Sequence, residues 1–405
     1  MLNVVIINGG RGAAALIPQL LARQGLMVTS VVNAYDDGKS TGEIRRFFGM
    51  LGPSDIRKVQ ELMLPLDDSY GANLHLFQYR YPKECSRQEA LAELQLFASG
   101  ETNKLTGINI DNPMICSAIR RYITEFLNGL TLIEKVKGET FSFSDCSIMN
   151  IIYAGVFLES GRNIERATLA IGRLFKLRGL VLPTSIESKH LVAMRENGDM
   201  LYTEAEIVEL RSNVRIERIY LLDGELDRER FENLSKDEKR QYLQSHHCYV
   251  GVSPRVQLAL KQADIIIYSA GTQHSSLYPT YLSVGLAEHI ADNKSAFKVF
   301  VTNIGADYET PSYQASDYLR GAWRYLNLSD SRRYDASELF DVVLLNSSRL
   351  KDEETYVEFD EQGFTDLPVR RVIGNFESAV SPGKHDGALT VHTILDLYDK
   401  AAFHG

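Results

Sequence analysis

The chain opens on a short β-branched run, Asn3 to Ile7, that stops at a cluster of glycines, Gly9, Gly10 and Gly12. Ala13 to Gln24 then reads as a helix ended by Gly25, and Leu26 to Val32 as a second strand. The result is a β-α-β unit with a glycine-rich first turn. Helical spacing follows at Ser54 to Leu64, Ser86 to Ala98, Pro113 to Leu127, Ser147 to Glu159 and Ile164 to Arg178. Ser54, Asp111 or Asn112, and Asn163 stand where N-caps are expected. Between about 184 and 225 the texture changes: Leu191 to Glu196, Asn197-Gly198 and Met200 to Thr203 predict a hairpin. Asp223 to Gln244 is charge-dense, as a solvated insertion is. Apolar strands return at Ala263 to Ser269, Phe297 to Asn303 and Phe340 to Leu345, with a helix near Thr280 to Asp292 and a closing helix at Leu389 to Lys400. Continuous apolar strands alternating with helices predict an α/β fold: a doubly wound, mainly parallel sheet with helices on both faces. We expect 1–405 to form one large domain, with a smaller insertion at 184–250.

Composition narrows the class. With 405 residues, 44% of them hydrophobic, the chain can bury a large core without a disulfide or metal staple. Its 29 Gly and 11 Pro are near average usage, which excludes collagenous and low-complexity chains. A net charge of −9 without basic blocks argues against nucleic acid as a partner, although backbone donors can still hold a small anion. Cys85, Cys116, Cys146 and Cys248 stand far apart with no C-x-x-C, so neither a zinc site nor a disulfide framework is indicated. There is no signal-peptide pattern, and the longest nearly apolar stretch, Ile148 to Leu158, is far short of the ~18 residues of a membrane helix. The expectation is a cytoplasmic protein without a membrane span.

Three strand-to-helix turns carry candidate chemistry, placed where parallel sheets bind ligands. In the first, 8–18, Gly9, Gly10 and Gly12 let backbone N–H groups approach a phosphate, or simply make a tight turn. It also satisfies G-x-G-x-x-A, but Asn33 stands where a dinucleotide fold keeps its acidic ribose ligand. In the second, 33–49, Gly38-Lys39-Ser40-Thr41 resembles the end of a P-loop, but Asn33 replaces the leading glycine and Asp36 and Asp37 fill the middle. Two like charges ~4 Å apart repel by ~4 kcal/mol at an effective dielectric near 20, so these carboxylates favour a metal or a hydroxyl over a bare pyrophosphate. A capped Asp-Gly turn is the structural alternative. The third, 268–282, offers Thr272, Ser275 and Ser276 for phosphate. His274 lies there too, read as a structural hydrogen-bonder, and His246-His247 is read as surface.

In this order the loops resemble the CofD/YvcK-like family, of UPF0052 type: 2-phospho-L-lactate transferases and the related gluconeogenesis-factor proteins. The resemblance is carried by GGRGAAALIPQL from Gly9, NAYDDGKSTGEIRR from Asn33, GPSDIRK from Gly52 and SIMNIIYAG from Ser147. LRGLVLPTS from Leu177, ADIIIYSAGTQHSSLYP from Ala263 and VTNIGADYETPSY from Val301 extend it to roughly 4–325. It implies a Rossmann-like fold around a nucleotide-diphosphate compound, GDP- or UDP-linked. In the transferase branch Mg²⁺ assists transfer of a phosphorylated group. The resemblance implies that Asp36, Asp37 and Asp55 serve catalysis, with Asp36 and Asp37 at the metal. Gly9, Gly10, Arg11, Gly12, Lys39, Ser40, Thr41, Arg45, Asn150, Gly271, Thr272 and Asn303 are the expected ligand contacts, with Arg11, Lys39 and Arg45 absorbing leaving-group charge.

Two functions follow from this reading. One is a Mg²⁺-assisted transferase resembling 2-phospho-L-lactate transferase. The other is a non-catalytic nucleotide-sugar-binding regulator of carbon metabolism or cell-envelope synthesis. A NAD-linked dehydrogenase is a distant third. The expected partner is the small-molecule ligand, and a homodimer is left open.

Overall fold

A computed structural model describes residues 1–10, 12–351 and 355–402, the Lys39 side chain excepted. Seven strands build the main sheet: β1 (Leu2–Asn8), β2 (Leu26–Val32), β3 (Leu180–Pro183), β4 (Ile265–Tyr268), β5 (Phe297–Val301), β6 (Val342–Asn346) and β7 (Arg370–Gly374). Their spatial order is β7-β6-β5-β4-β1-β2-β3, and every pairing is parallel. The order reverses between β1 and β4, as in a Rossmann-like fold, and the crevice at the carboxyl ends of these two strands is the switch point. Every residue of β4 and β5 is buried, which requires cover on both faces.

The crossover from β2 to β3 is helical. It contains α1's successors α2 (Lys39–Phe48), α3 (Ser54–Leu62), α4 (Tyr70–Gln78), α5 (Arg87–Ser99), α6 (Pro113–Lys137), α7 (Ile148–Glu159) and α8 (Ile164–Leu174), while α1 (Leu16–Ala22) joins β1 to β2. Asn112 and Asn163 cap α6 and α8 through side-chain oxygens, as their positions predict. Ser54 instead begins α3, after Pro53 at the cap position. The apolar stretch near Ile148 is the buried α7, and no described helix is long and apolar enough to cross a membrane.

Between β3 and β4, strands His190–Arg195, Met200–Leu201 and Ile216–Leu222 form a small antiparallel sheet. Its hairpin turns at Asn197-Gly198, where Gly198 takes φ +93°. The short α9 (Glu204–Glu209) follows the hairpin. Helices Arg228–Glu232 and Lys236–Ser245 cover this sheet with Phe231 and Leu243, which pack on Val192, Met194, Tyr220 and Leu222. His247 is not surface. It is buried, its Nδ1 accepts the Leu221 N–H at 3.1 Å, and burial lowers its pKa to about 4. The four cysteines are free thiols.

Candidate functional site

A cleft of about 1210 Å³ opens at the switch point. Gly9, Gly10 and Gly12 after β1 line it, as do Asp36 after β2, Asp55 and Lys58 of α3, Glu204 of α9, Gly271 and Thr272 after β4, and Asn303 after β5.

The glycines are required by loop packing. A Cβ on Gly12 would stand 2.4 Å from the Ala270 carbonyl oxygen, one on Gly9 2.6 Å from Ser276 Cβ, and one on Gly10 2.3 Å from Asp55 Oδ1. The backbone N–H groups of Gly10 and Gly12 nevertheless find no acceptor among the described residues, and both glycines face the cleft. The helix expected over Ala13 to Gln24 is shorter: Gly12 to Ala15 are spent in turns, and α1 runs only from Leu16 to Ala22. Arg11 lies outside the described residues, as does the side chain of Lys39.

The acidic pair separates. Asp36 Oδ1 accepts the Gly38 N–H at 3.0 Å, and Oδ2 lies 3.6 Å from Lys58 Nζ, which is also 2.8 Å from Asp55 Oδ1. Asp37 does not line the cleft. Its carboxylate accepts the Ala205 N–H at 3.0 Å and the Glu204 N–H at 3.3 Å, docking the first turn of α9. Burial and then Asp55's charge push the Asp36 carboxyl above the usual range, with Lys58 pulling the other way. Glu204, also buried, is held well above its range by burial first and then by Asp36 and Asp55. Burial disfavours the Lys58 charge, but Asp55 and Asp36 outweigh it and raise the ammonium's pKa.

The expected metal at Asp36 and Asp37 therefore has no joint site in this arrangement. The two side chains diverge, and Lys58 occupies the gap between Asp36 and Asp55. Among the described residues no three His, Cys, Asp or Glu are grouped to hold a metal ion.

Several expected contacts stand behind the cleft wall. Arg45 is buried and spends its guanidinium on three carbonyls: Tyr35 at 2.6 Å, Asp36 at 3.3 Å and Lys189 at 2.6 Å. It pins the loop that carries Asp36 instead of facing a leaving group. Asn150 is fully buried on α7 and donates to Ser40 Oγ (3.2 Å) and Thr41 Oγ1 (3.4 Å). Ser40 is enclosed with it, so only Thr41 of this trio lines the cleft. Gly271 and Asn303 do line it, but they bond one another: the Gly271 N–H donates to Asn303 Oδ1 at 2.9 Å, and Asn303 Nδ2 donates to the Gly271 carbonyl at 3.0 Å. Thr272 donates to Ser276 Oγ at 2.9 Å.

Four residues of the site were not singled out by sequence reasoning: Lys58, Glu309, Glu204 and Lys384. Glu309 is buried under the 273–277 turn, accepting the N–H groups of His274 and Ser275 and meeting Ser275 Oγ at 2.5 Å. His274 itself is fully buried, and neither ring nitrogen has a hydrogen-bond partner among the described residues. Burial lowers its pKa to about 3, so it is a neutral core ring edge-on to Tyr278. Glu204 follows the hairpin at an unremarkable Thr-Glu helix start, and Lys384 arrives from the far end of the chain.

Known proteins share this arrangement of elements. The family model described as 2-phospho-L-lactate transferase CofD matches residues 4–376. The gluconeogenesis factor of Listeria monocytogenes serovar 1/2a is 22% identical over 383 residues, covering 93% of this chain and 89% of that protein. The gluconeogenesis factor of Bacillus subtilis strain 168 is 23% identical over 352 residues, covering 87% of this chain and 80% of that protein. The crystal structure of protein BH3568 from Bacillus halodurans superposes with a TM-score of 0.67 at 20% identity, over 97% of this chain and 99% of that one. A second structure of BH3568, described as a member of the UPF0052 family, gives 0.66. The likeness of fold thus extends over almost the whole length.

Proposed function

The chain belongs to the CofD family, and from that premise we propose that it binds a nucleoside-diphosphate-linked ligand in the switch-point cleft and transfers a phosphorylated group from it. The observation that carries this reading is the pair of unengaged N–H groups at Gly10 and Gly12, lining a cleft where parallel folds hold phosphates. Lys58 supplies a cation beside them. Asp36, its carboxyl raised by burial and Asp55, is suited to take a proton. In the transfer, the acceptor's hydroxyl oxygen bonds the distal phosphorus and gives its proton to Asp36. The bond from that phosphorus to the bridging oxygen breaks, and a nucleoside monophosphate leaves.

A second reading, a nucleotide-sugar-binding regulator without a reaction, is favoured by the diversion of Asp37 to α9 and by the Lys58 ammonium already seated between Asp36 and Asp55. Thermal-shift screening of the purified protein against UDP, GDP, ADP and their sugar conjugates, with Mg²⁺ and with EDTA, tests binding. A ligand at 100 times its Kd stabilises by ~2.7 kcal/mol. Release of nucleoside monophosphate from the bound compound in the presence of alcohol acceptors supports the transferase. Tight binding with no release across an acceptor panel supports the regulator, and no shift with any nucleotide rejects both.

A further inference from the structure

The cleft is short of available positive charge. Among its described lining residues six are acidic and four are Lys or Arg. Three of the four cations are engaged: Lys58 by Asp36 and Asp55, Arg80 by Asp145 at 2.6 Å, and Arg57 by the Phe77 carbonyl. Lys384 is the fourth. It is exposed, lines the cleft, and makes no hydrogen bond or ion pair with any described residue.

Its backbone is fixed on both sides. The Gly305 N–H donates to the Gly383 carbonyl at 2.9 Å, and the Gly383 N–H donates to Glu377 Oε1 at 2.8 Å. On the other side His385, buried and neutral with a pKa lowered by burial to about 4, meets the Thr302 carbonyl through Nε2 at 2.8 Å. Two residues further, Gly387 packs so tightly against the Ala15 carbonyl that a Cβ there would stand 1.8 Å from it. The hairpin Glu377–Ser378/Ser381–His385 is thus clamped between the end of β5 and the turn that follows the glycine loop. It holds, on the same cleft as the two unengaged N–H groups, a lysine whose side chain pairs with no described residue. This hairpin lies beyond residue 376, where the match to the family model ends.

We propose that Lys384 is a ligand-contacting residue that pairs with the ligand's diphosphate, so the C-terminal hairpin is part of the binding site. The inference rests on the nucleoside-diphosphate reading above and adds the residue that neutralises the diphosphate. A rigid backbone carrying one mobile ammonium suits a dianionic group without a fixed bidentate geometry.

The test is isothermal titration of the full-length protein with UDP and GDP, and with uridine and guanosine, using wild type, Lys384→Met and Lys384→Arg. Lys384 is exposed, so both variants should keep the wild-type Tm. Lys384→Met should weaken the diphosphate that wild type binds by tenfold or more, ~1.4 kcal/mol. Its affinity should depend less steeply on salt, and Lys384→Arg should stay within about threefold of wild type. A Lys384→Met affinity equal to wild type overturns the inference alone and leaves the binding reading intact. So does an equal loss for the uncharged nucleoside. Wild type that binds neither UDP nor GDP overturns both.

Discussion

Replacing Glu309 by Gln removes a proton-binding site that folding creates. The side chain is 3% exposed beneath the cleft turn, with three contacts to His274 and Ser275. Burial first, then the charge of Asp307, lifts its carboxyl from the ordinary 4.5 to about 8. A carboxyl raised in this way holds its proton more tightly folded than unfolded. Its stabilising contribution is complete below pH 4.5 and is lost as the pH climbs to about 8. Each pH unit in that window is worth about 1.4 kcal/mol, about 5 kcal/mol in full, against a typical stability of about 5–15 kcal/mol. Gln keeps all three contacts, because its amide oxygen can accept the two N–H groups while its NH₂ donates to Ser275 Oγ. Glu309→Gln should therefore match wild type near pH 4.5 and be the more stable protein at pH 8. Urea midpoints measured at several pH values should show the gap widening by about 1.4 kcal/mol per unit. Taking the difference cancels Asp36, which titrates in both proteins. Parallel pH profiles, or a Gln variant weaker at every pH, would refute a buried neutral Glu309.

Gly10→Ala should displace Asp55 and Lys58, since its Cβ would stand 2.3 Å from Asp55 Oδ1 and 2.9 Å from Lys58 Cδ. Gly38→Ala meets only Asp36 Oδ1 at 3.7 Å and should be neutral or stabilising by up to ~1 kcal/mol. Equal melting temperatures for the two variants would contradict the loop packing. Asp37→Asn keeps an acceptor for the α9 N–H groups and should be near neutral, whereas Asp37→Ala should cost about 1 kcal/mol and speed amide exchange at 204–206. Equal exchange in both would mean that Asp37 does not hold α9. Lys58→Met strips the cation from Asp36 and Asp55 and should cost about 3–5 kcal/mol at pH 7, with the cost falling as the pH is lowered and the raised Asp36 carboxyl takes up a proton. Full stability at pH 7 would show that this pair of carboxylates needs no cation.

The parts of the fold legible in the sequence are those whose signal is local. β2 falls where the apolar run Leu26–Val32 puts it, and Asn112 and Asn163 cap α6 and α8 because a side-chain acceptor before a helical pattern has one obvious use. β7 was not legible. Its sequence, Arg-Arg-Val-Ile-Gly, has neither alternation nor a continuous apolar run, because an edge strand leaves Arg370 and Arg371 in solvent. β3 escaped for a different reason: Leu180–Pro183 is four residues between a glycine and a hairpin, too short for periodicity to register. α6 runs ten residues past the expected end at Leu127, with Gly129 inside it, since that glycine packs against Leu158 and Phe48 and does not break the helix.

The candidate site shows the same division more sharply. Asp36 and Asp37 suggest a paired-carboxylate site because they are neighbours in sequence, yet neighbours in extended backbone point opposite ways. Asp36 turns to α3 and the cleft, Asp37 to the start of α9. The carboxylates coupled to Asp36 come from elsewhere in the chain: Asp55 raises Asp36, and Asp36 and Asp55 in turn raise Glu204 across the insertion. Spacing along the chain carries no information about that convergence, because it is produced by the crossover that returns β3 beside β2 and by the hairpin that sets α9 over the cleft. The insertion is thereby tied to the chemistry. Asp37 binds α9 by its backbone, and α9 in turn carries Glu204, whose carboxyl Asp36 and Asp55 raise, so a change in the position of α9 changes the proton affinity of the cleft. The motif marked a loop that lines the cleft, while the contacts of Asp37 join residues more than a hundred positions apart.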